Sequence, residues 1–309
     1  MKKFFNIAGV TALLLLVYSA LQGLFTALLM AVFVVYATIK GEVDLKNLPD
    51  ITSVSRITDI PVLGNYIVEV MAWGLFLSVV SMILFLHLTK FFRLRKSILN
   101  SISFRPLLVS TLLVFTSMFA LNLFVQFFPL EDMLENEFMG LTHNAIGALS
   151  ISILGPVLEE MMFRGAIQGY MMRRVRYPWV AIIAASLLFG VFHMNPVQIV
   201  YATLLGVVFG WIYYRTGSLL SVIVGHVLNN SIATFTMLLF GDSSESEIIE
   251  GISPFAEHVL TAMLFVVFSA VSIVLAVKLH RMLPAPPNPW HESDEKPEPV
   301  TEEVANKEL

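Results

Sequence analysis

The chain contains no cysteine, so disulfides, thiolate nucleophiles and cysteine metal sites are all excluded. Charged residues are also scarce: they make up 14% of the 309 residues, against about a quarter in a typical soluble domain. Hydrophobic residues account for 57%, and the mean hydropathy is +0.78. This balance predicts an all-α, polytopic membrane protein. The net charge of −4 is less informative than the positions of the charges.

Apolar runs long enough to cross a bilayer, about 20 residues each, recur along the chain. We predict a bundle of about eight transmembrane helices, at residues 7–39, 66–89, 106–128, 143–163, 178–195, 197–214, 218–240 and 258–279. The basic start with an apolar run also resembles a signal peptide. The run continues to Ile39, however, far beyond the apolar core of about 7–15 residues in a signal peptide, so we expect a retained helix.

Basic residues occupy every second connection of this division. They are Lys2, Lys3, Lys90, Arg93, Arg95, Lys96, Arg105, Arg173, Arg174, Arg176, Arg215, Lys278 and Arg281. Two of the intervening connections are acidic, with Glu131, Asp132, Glu135, Glu137, Asp242, Glu245, Glu247 and Glu250. Because basic loops stay in the cytoplasm, we predict a multi-pass protein of the cell membrane with both termini cytoplasmic.

One helical bundle accounts for most of the chain. We assign residues 1–282 to this bundle and place its motif-bearing core at about 143–240. Residues 283–309 are rich in proline and acid, a composition typical of a disordered segment, so we predict a disordered cytoplasmic tail.

Two adjacent glutamates interrupt the apolar run SILGPVLEEMMFRG. Ionisable residues inside a membrane are costly and indicate a functional site. Glu159 and Glu160 lie about 100° apart around a helix, and Arg164 lies one turn beyond Glu160, a spacing that allows an ion pair. This pair leaves Glu159 free to face a cavity and act as a general base. The alternative is a helix boundary at which the charges emerge into cytoplasmic water.

Two helix-spaced pairs follow in later apolar segments, Phe189 with His193 and His226 with Asn230. Taken alone, His193 is best interpreted as a structural histidine that is hydrogen-bonded to the backbone near a helix end. His226 lies about 12 Å from the membrane entry by helical rise, and Asn230 lies on the same face one turn further on. Packing explains them poorly, so function is favoured there. Asn229 points elsewhere and suits a contact between helices.

The three motifs, in this order on successive membrane segments, resemble those of the CPBP family, also called the ABI family. It comprises CAAX prenyl endopeptidases and bacteriocin-processing enzymes, which are intramembrane proteases. Each motif alone is weak, but the ordered set in a polytopic chain is fairly specific. The resemblance covers about residues 143–240, and the family's eight-helix layout would cover most of the rest.

The resemblance implies peptide-bond hydrolysis by a glutamate-activated water. Glu159 would be the general base, and His193 would help to orient the water. His226 and Asn230 would stabilise the oxyanion. Glu160 and Arg164 would support the site, and Phe189 would pack beside it. The expected partners are the lipid bilayer and a peptide or membrane-protein substrate that could be lipidated; no nucleic acid is expected.

A zinc site is an alternative use of the same residues. Glu159, His193 and His226 could supply three protein ligands, leaving the fourth position to water, as in catalytic zinc sites. The His-Glu-x-x-His spacing of many zinc proteases is absent, and asparagine is an unusual zinc ligand. We therefore expect metal-free catalysis without a cofactor.

A depth mismatch accompanies these boundaries. Glu159 lies near the cytoplasmic end of the fourth predicted helix, whereas His193 lies more than about 20 Å beyond the entry of the fifth. Tilt, a kink at Pro156 or a short fifth helix that turns at Asn195 and Pro196 would bring the two side chains together.

Two other functional classes stay open. A transporter would place buried charge along an ion path, but it predicts repeats with interrupted helices in both halves, and the first three helices carry no counterpart of the glutamate–arginine cluster. A non-catalytic immunity or scaffold protein would keep the fold and bind through its loops or tail.

Overall fold

The computed structural model describes residues 2–42, 61–89, 102–241 and 253–283. Within these ranges all the regular secondary structure is helical. Their bounds are α1 Lys2–Ile39, α2 Pro61–Leu88, α3 Phe104–Val125, α4 Glu135–Thr142, α5 Ala145–Met172, α6 Pro178–Phe192, α7 Pro196–Thr216, α8 Leu219–Phe240 and α9 Pro254–Met282. Seven of them, all but α4 and α6, are long and apolar enough to cross a membrane.

The all-α bundle of about eight membrane helices is therefore confirmed, and most predicted segments agree with the structure within a few residues. The predicted tail lies almost entirely outside the described residues, as do Lys90, Arg93, Arg95 and Lys96 and the second acidic connection. The assignment of residues 1–282 to one bundle and 283–309 to a tail stays a prediction.

Helices that follow one another in the chain pack together in two places: α1 packs on α2, and α6 packs on α7. Helix α3 packs on the C-terminal helix α9 and also contacts α7 and α8. Helix α5 lies at the centre, and all nine residues from Glu160 to Gln168 are buried. This central helix therefore carries the two glutamates where other helices surround it.

One predicted boundary was wrong and a second differs by three residues, and both affect the site. The fourth segment, predicted at 143–163, extends in the structure as α5 to Met172. Its charged residues mark buried contacts rather than the helix end, so Glu159 lies mid-helix, about 20 Å from Met172. The fifth segment, predicted at 178–195, is the 15-residue helix Pro178–Phe192, which at about 22 Å is shorter than the roughly 30 Å hydrocarbon core.

The turn after α6 is fixed by the acidic segment before α4. Met194 adopts a left-handed conformation, with φ of 52°, and Pro196 begins α7. The buried Asn195 donates from Nδ2 to Asp132 Oδ1 at 2.8 Å, and its Oδ1 accepts the Met133 N–H at 3.2 Å. The short fifth helix is thus held at its end. His193 lies about 20 Å from the start of α6, so the depth mismatch with Glu159 disappears.

Helix α5 contains two π-helical stretches, Ser150–Leu154 and Glu160–Gln168. In the first stretch the Gly155 N–H bonds to Ser150 O, five residues back. The next such bond would join Pro156 to Ile151 O, but proline has no N–H. The Ile151 carbonyl instead accepts a hydrogen bond from the Asn230 side chain at 2.9 Å. Pro156 thereby creates an anchor for a residue on α8. Wide π turns are frequent at functional sites.

Candidate active site

Glu160 and Arg164 form a buried ion pair, as their spacing predicted. Arg164 Nη1 donates to Glu160 Oε1 at 3.0 Å, and the two side chains are 1% and 0% exposed. The guanidinium also donates to Gly206 O on α7 at 3.3 Å. It lies over two rings, with its carbon 4.3 Å from the centroid of Phe189 and 5.2 Å from that of Phe209. The pair thus joins α5, α6 and α7, and the alternative of charges emerging into water is wrong for both residues.

His226 links α8 to both glutamates. Its Nδ1 lies 2.8 Å from Glu160 Oε1. An ionised carboxylate only accepts hydrogen bonds, so Nδ1 carries the proton and donates it. The other ring nitrogen, Nε2, lies 3.6 Å from Glu159 Oε2. The Phe209 ring packs against the imidazole at 4.9 Å. Glu160 therefore orients the imidazole so that Nε2 faces Glu159.

Glu159 is the less constrained carboxylate of the two. Its side chain is 25% exposed, whereas that of Glu160 is fully buried. Glu159 Oε2 is itself buried and accepts no hydrogen bond from the residues the structure describes. A buried acceptor without a partner is destabilising and available to water or substrate. Spacing predicted this division between a paired and a free glutamate.

His193 caps the end of α6. Its Nδ1 lies 2.8 Å from Phe189 O, one turn earlier, and a carbonyl accepts, so Nδ1–H donates. In the neutral ring this leaves the Nε2 lone pair available. The ring packs edge-on against Phe189 at 4.9 Å between centroids. The backbone contact expected of a structural histidine is therefore present, but it uses only one of the two ring nitrogens.

Asn230 ends a chain of hydrogen bonds that crosses three helices. The Tyr201 hydroxyl on α7 donates to Asn229 Oδ1 at 2.7 Å, and Asn229 Nδ2 donates to Asn230 Oδ1 at 2.8 Å. Asn230 Nδ2 then donates to Ile151 O at 2.9 Å, which leaves its second N–H available. Asn229 thus makes the contact between helices that was expected of it. Sequence reasoning missed Tyr201, because a tyrosine in an apolar helix carries no signal of its partner.

The candidate residues converge on one cavity of about 470 Å³. Glu159, Phe189, His193, His226 and Asn230 all line this cavity, which we call the catalytic cavity. Glu160 and Arg164 do not line it and support His226 from behind.

Helices outside the motif-bearing core also contribute to the catalytic cavity. The buried Tyr18 of α1 lines it together with Leu75 of α2, and the Tyr18 ring lies 5.7 Å from that of Phe192. No motif in the sequence pointed to Tyr18. The N-terminal helices therefore complete the wall of the cavity, although the candidate residues lie on α5, at the end of α6 and on α8.

The zinc alternative gains no support from the donor arrangement. Within the described ranges no group of three or more His, Cys, Asp or Glu side chains is placed to hold a metal ion. Glu159 Oε2 and His226 Nε2, 3.6 Å apart, are two donors that could face one ion. A catalytic zinc site uses three protein ligands, and a third one is not in place.

A carboxylate with a free oxygen, two oriented imidazoles and a fixed amide thus surround a space large enough for a peptide segment. A carboxylate can take a proton from water, and imidazole and amide N–H groups can donate to a developing oxyanion. The arrangement suits hydrolysis of a carbonyl compound by an activated water.

Comparison with known proteins also supports a membrane peptidase. Residues 141–232 match the family model described as Type II CAAX prenyl endopeptidase Rce1-like. A protein of Bacillus subtilis (strain 168) named "Putative membrane peptidase YdiL" is 30% identical over 87 residues. That alignment covers 28% of this chain and 35% of the YdiL chain, so it spans about a third of this relative. No solved structure matches the chain.

Proposed function

The motif-bearing core belongs to the Rce1-like branch of the CPBP family, and from this premise we propose that the protein is an intramembrane endopeptidase that uses Glu159 to activate water. The family match and the YdiL alignment support a membrane peptidase. The observation that carries the glutamic mechanism is the free Oε2 of Glu159 beside His226 in the catalytic cavity.

The first step places a water between Glu159 and His193. Glu159 accepts one proton as the water oxygen attacks the peptide carbonyl, and the Nε2 lone pair of His193 orients the water. A positioned general base contributes about 10²–10⁴-fold to such a step. The same carboxyl group then gives its proton to the leaving amine. The products are a carboxylic acid and an amine, and the enzyme returns to its starting state.

The negative charge on the tetrahedral oxygen needs donors. The second N–H of Asn230 is one, since the first is committed to Ile151 O. His226 is the other. Because its Nδ1–H is directed to Glu160, donation from Nε2 requires a proton on both ring nitrogens. Removing one such donor typically costs about 10²–10³-fold in rate.

The substrate that we propose is a peptide or membrane protein that reaches the site from or along the bilayer. Cleavage of a prenylated C-terminus is the activity named in the family description, and the farnesylated peptide in the assay below tests whether it extends to this chain. We also propose an integral membrane protein with both termini cytoplasmic, because the basic connections alternate with the others along the chain.

The test is cleavage of a fluorogenic peptide library by detergent-purified protein, with a farnesylated peptide included in a parallel assay. Wild type is expected to cleave, and both Glu159→Ala and His226→Ala are expected to lose at least about 10²-fold in rate. The variant Glu257→Ala, at an exposed position in the first turn of α9, is the matched control. Equal cleavage by all four proteins would refute the site assignment, and an immunity protein or transporter would cleave nothing.

A further inference from the structure

The catalytic cavity opens toward one end of the bundle only. Its residues on α5 all lie between Ser150 and Glu159, in the first half of that helix. Those on α7 lie between Gln198 and Leu205, again in the first half. On the antiparallel helix α8 they begin at His226 and extend to Met237, near the helix end. The lining therefore occupies the end of the bundle that holds the α6–α7 turn and helix α4.

The opposite end of the bundle is closed by packed side chains. From Glu160 to Gln168 every residue of α5 is buried. Phe163 and Phe209 are each 0% exposed; Phe163 packs against the rings of Phe189 and Phe192, and Phe209 packs against Arg164. Gln168 donates from Nε2 to Gly210 O at 2.9 Å, which ties α5 to α7 below the ion pair. A substrate therefore has no route to Glu159 from that end.

Basic residues are concentrated at one of the two ends. The open end includes residues 126–144 and 193–196, which contain no Lys or Arg, and Asp132 and Glu137 lie at the mouth of the cavity. Lys40, just after α1, is the one Lys or Arg at this end among the residues that the structure describes. The closed end carries the basic residues that flank α5 to α9: Arg173, Arg174, Arg176, Arg215, Lys278 and Arg281. Short basic loops are retained in the cytoplasm, and acidic residues contribute little to orientation. The closed end is thus the cytoplasmic one.

From these three observations we propose that the catalytic cavity opens to the non-cytoplasmic face of the membrane, so the scissile bond enters from that side. The statement about substrate rests on the proposed peptidase function; the orientation of the cavity does not. The substrate class that fits is a polypeptide exposed at the outer surface or the outer half of the bilayer. A lipidated C-terminus presented from the cytoplasm would meet the closed end.

Orientation can be mapped with single cysteines, because the natural chain has none. Met133→Cys and Met194→Cys mark the open end, where the native side chains are 65% and 82% exposed. Tyr177→Cys and His280→Cys mark the closed end, where Tyr177 is 62% exposed. The probe is a membrane-impermeant biotin maleimide, applied to intact bacterial spheroplasts that express each full-length variant. Unsubstituted protein is the zero-label control.

The expected result is labelling of Met133→Cys and Met194→Cys in intact spheroplasts, and of Tyr177→Cys and His280→Cys only after permeabilisation. The reverse pattern, or equal labelling of all four positions before permeabilisation, would overturn the proposal. None of the four substitutions removes a Lys or Arg, so the charge pattern that sets the orientation is preserved.

A second measurement tests the side of cleavage. The probe is the soluble, unprenylated peptide that detergent-purified wild type cleaves fastest. Intact spheroplasts are expected to cleave it, and inverted vesicles are expected to cleave it only after detergent is added. Cleavage by sealed inverted vesicles alone would overturn the proposal. Absence of cleavage in detergent would instead contradict the peptidase function, and the cysteine map would still decide the orientation.

Discussion

His226 donates its Nδ1–H to the fully buried carboxylate of Glu160 at 2.8 Å. The same oxygen, Oε1, also accepts from Arg164 at 3.0 Å. One carboxylate oxygen thus joins a cation on its own helix to an imidazole on α8. This relationship separates the roles of the adjacent glutamates, because the fully buried Glu160 holds Arg164 and His226 while Glu159, which is 25% exposed, lines the catalytic cavity.

We predict that Glu160→Gln lowers both stability and turnover. The amide can still accept from His226, but it leaves the buried guanidinium of Arg164 without a counter-charge, and breaking a buried pair costs about 3–5 kcal/mol. It also weakens the hydrogen bond that orients His226, because a neutral amide oxygen is a weaker acceptor than a carboxylate, so we expect kcat to fall about 10²-fold, the effect of losing an oxyanion donor, with KM nearly unchanged. SDS titration measures the unfolding free energy, and initial rates give kcat and KM.

Glu257→Gln is the control, since Glu257 is exposed in the first turn of α9, and it should leave both quantities unchanged. If the folded fraction of Glu160→Gln kept the wild-type kcat, Glu160 would have a structural role alone.

We predict that Tyr201→Phe impairs catalysis through Asn229 and Asn230. Loss of the hydroxyl removes the hydrogen bond to Asn229 Oδ1, and Asn229 in turn fixes Asn230. An unsatisfied buried acceptor costs about 1–3 kcal/mol, so a misplaced Asn230 should lower kcat by about 10-fold while KM changes little. Steady-state kinetics at several peptide concentrations separate the two constants.

Tyr177→Phe provides the matched loss of a hydroxyl at a position that is 62% exposed. It should behave as wild type. A rise in KM with unchanged kcat in Tyr201→Phe would mean that Tyr201 binds substrate in the cavity rather than positions Asn230.

Local spacing made much of the site predictable. The i, i+4 rule identified the Glu160–Arg164 pair, and the 100° offset between neighbours separated Glu159 from Glu160. The cost of burying polar groups in a membrane indicated His226 and Asn230 as functional candidates. These inferences need only one helix at a time, which is why they required no knowledge of how the helices pack.

Contacts between helices could not be read from the sequence. Glu160 contacts His226 as well as Arg164, and no spacing rule predicts a contact between α5 and α8. The end of α5 at Met172 was missed because buried charges imitate a helix boundary when their partners are unknown. Pro156 was recognised as a possible kink, but its consequence, a free Ile151 carbonyl for Asn230, depends on the packing of α8.

We predict that Gly190→Ala separates α6 from α7 and displaces His193. A Cβ at Gly190 would lie 2.6 Å from Ile199 O, a backbone atom that cannot rotate away. Since His193 lies one turn further along α6, we expect at least a 10-fold loss of activity, as misplacement by about 1 Å can cost about 10²-fold. The thermal unfolding midpoint should fall as well.

Gly23→Ala is the control, because a Cβ at Gly23 meets nothing within 4 Å. It should keep full activity and gain slightly in stability, as alanine favours a helix by about 1 kcal/mol over glycine. Wild-type activity in Gly190→Ala would contradict the idea that the close α6–α7 contact positions His193.

We predict that chelators leave cleavage unchanged. His193 Nδ1 is committed to Phe189 O and His226 Nδ1 to Glu160, so only the two Nε2 atoms and Glu159 could bind zinc, and the described side chains form no group of three metal donors. Initial rates are measured after incubation with EDTA or phenanthroline. A loss of activity that added zinc restores, and that a non-chelating phenanthroline isomer does not cause, would make Glu159, His193 and His226 the ligands and the zinc-bound water the nucleophile.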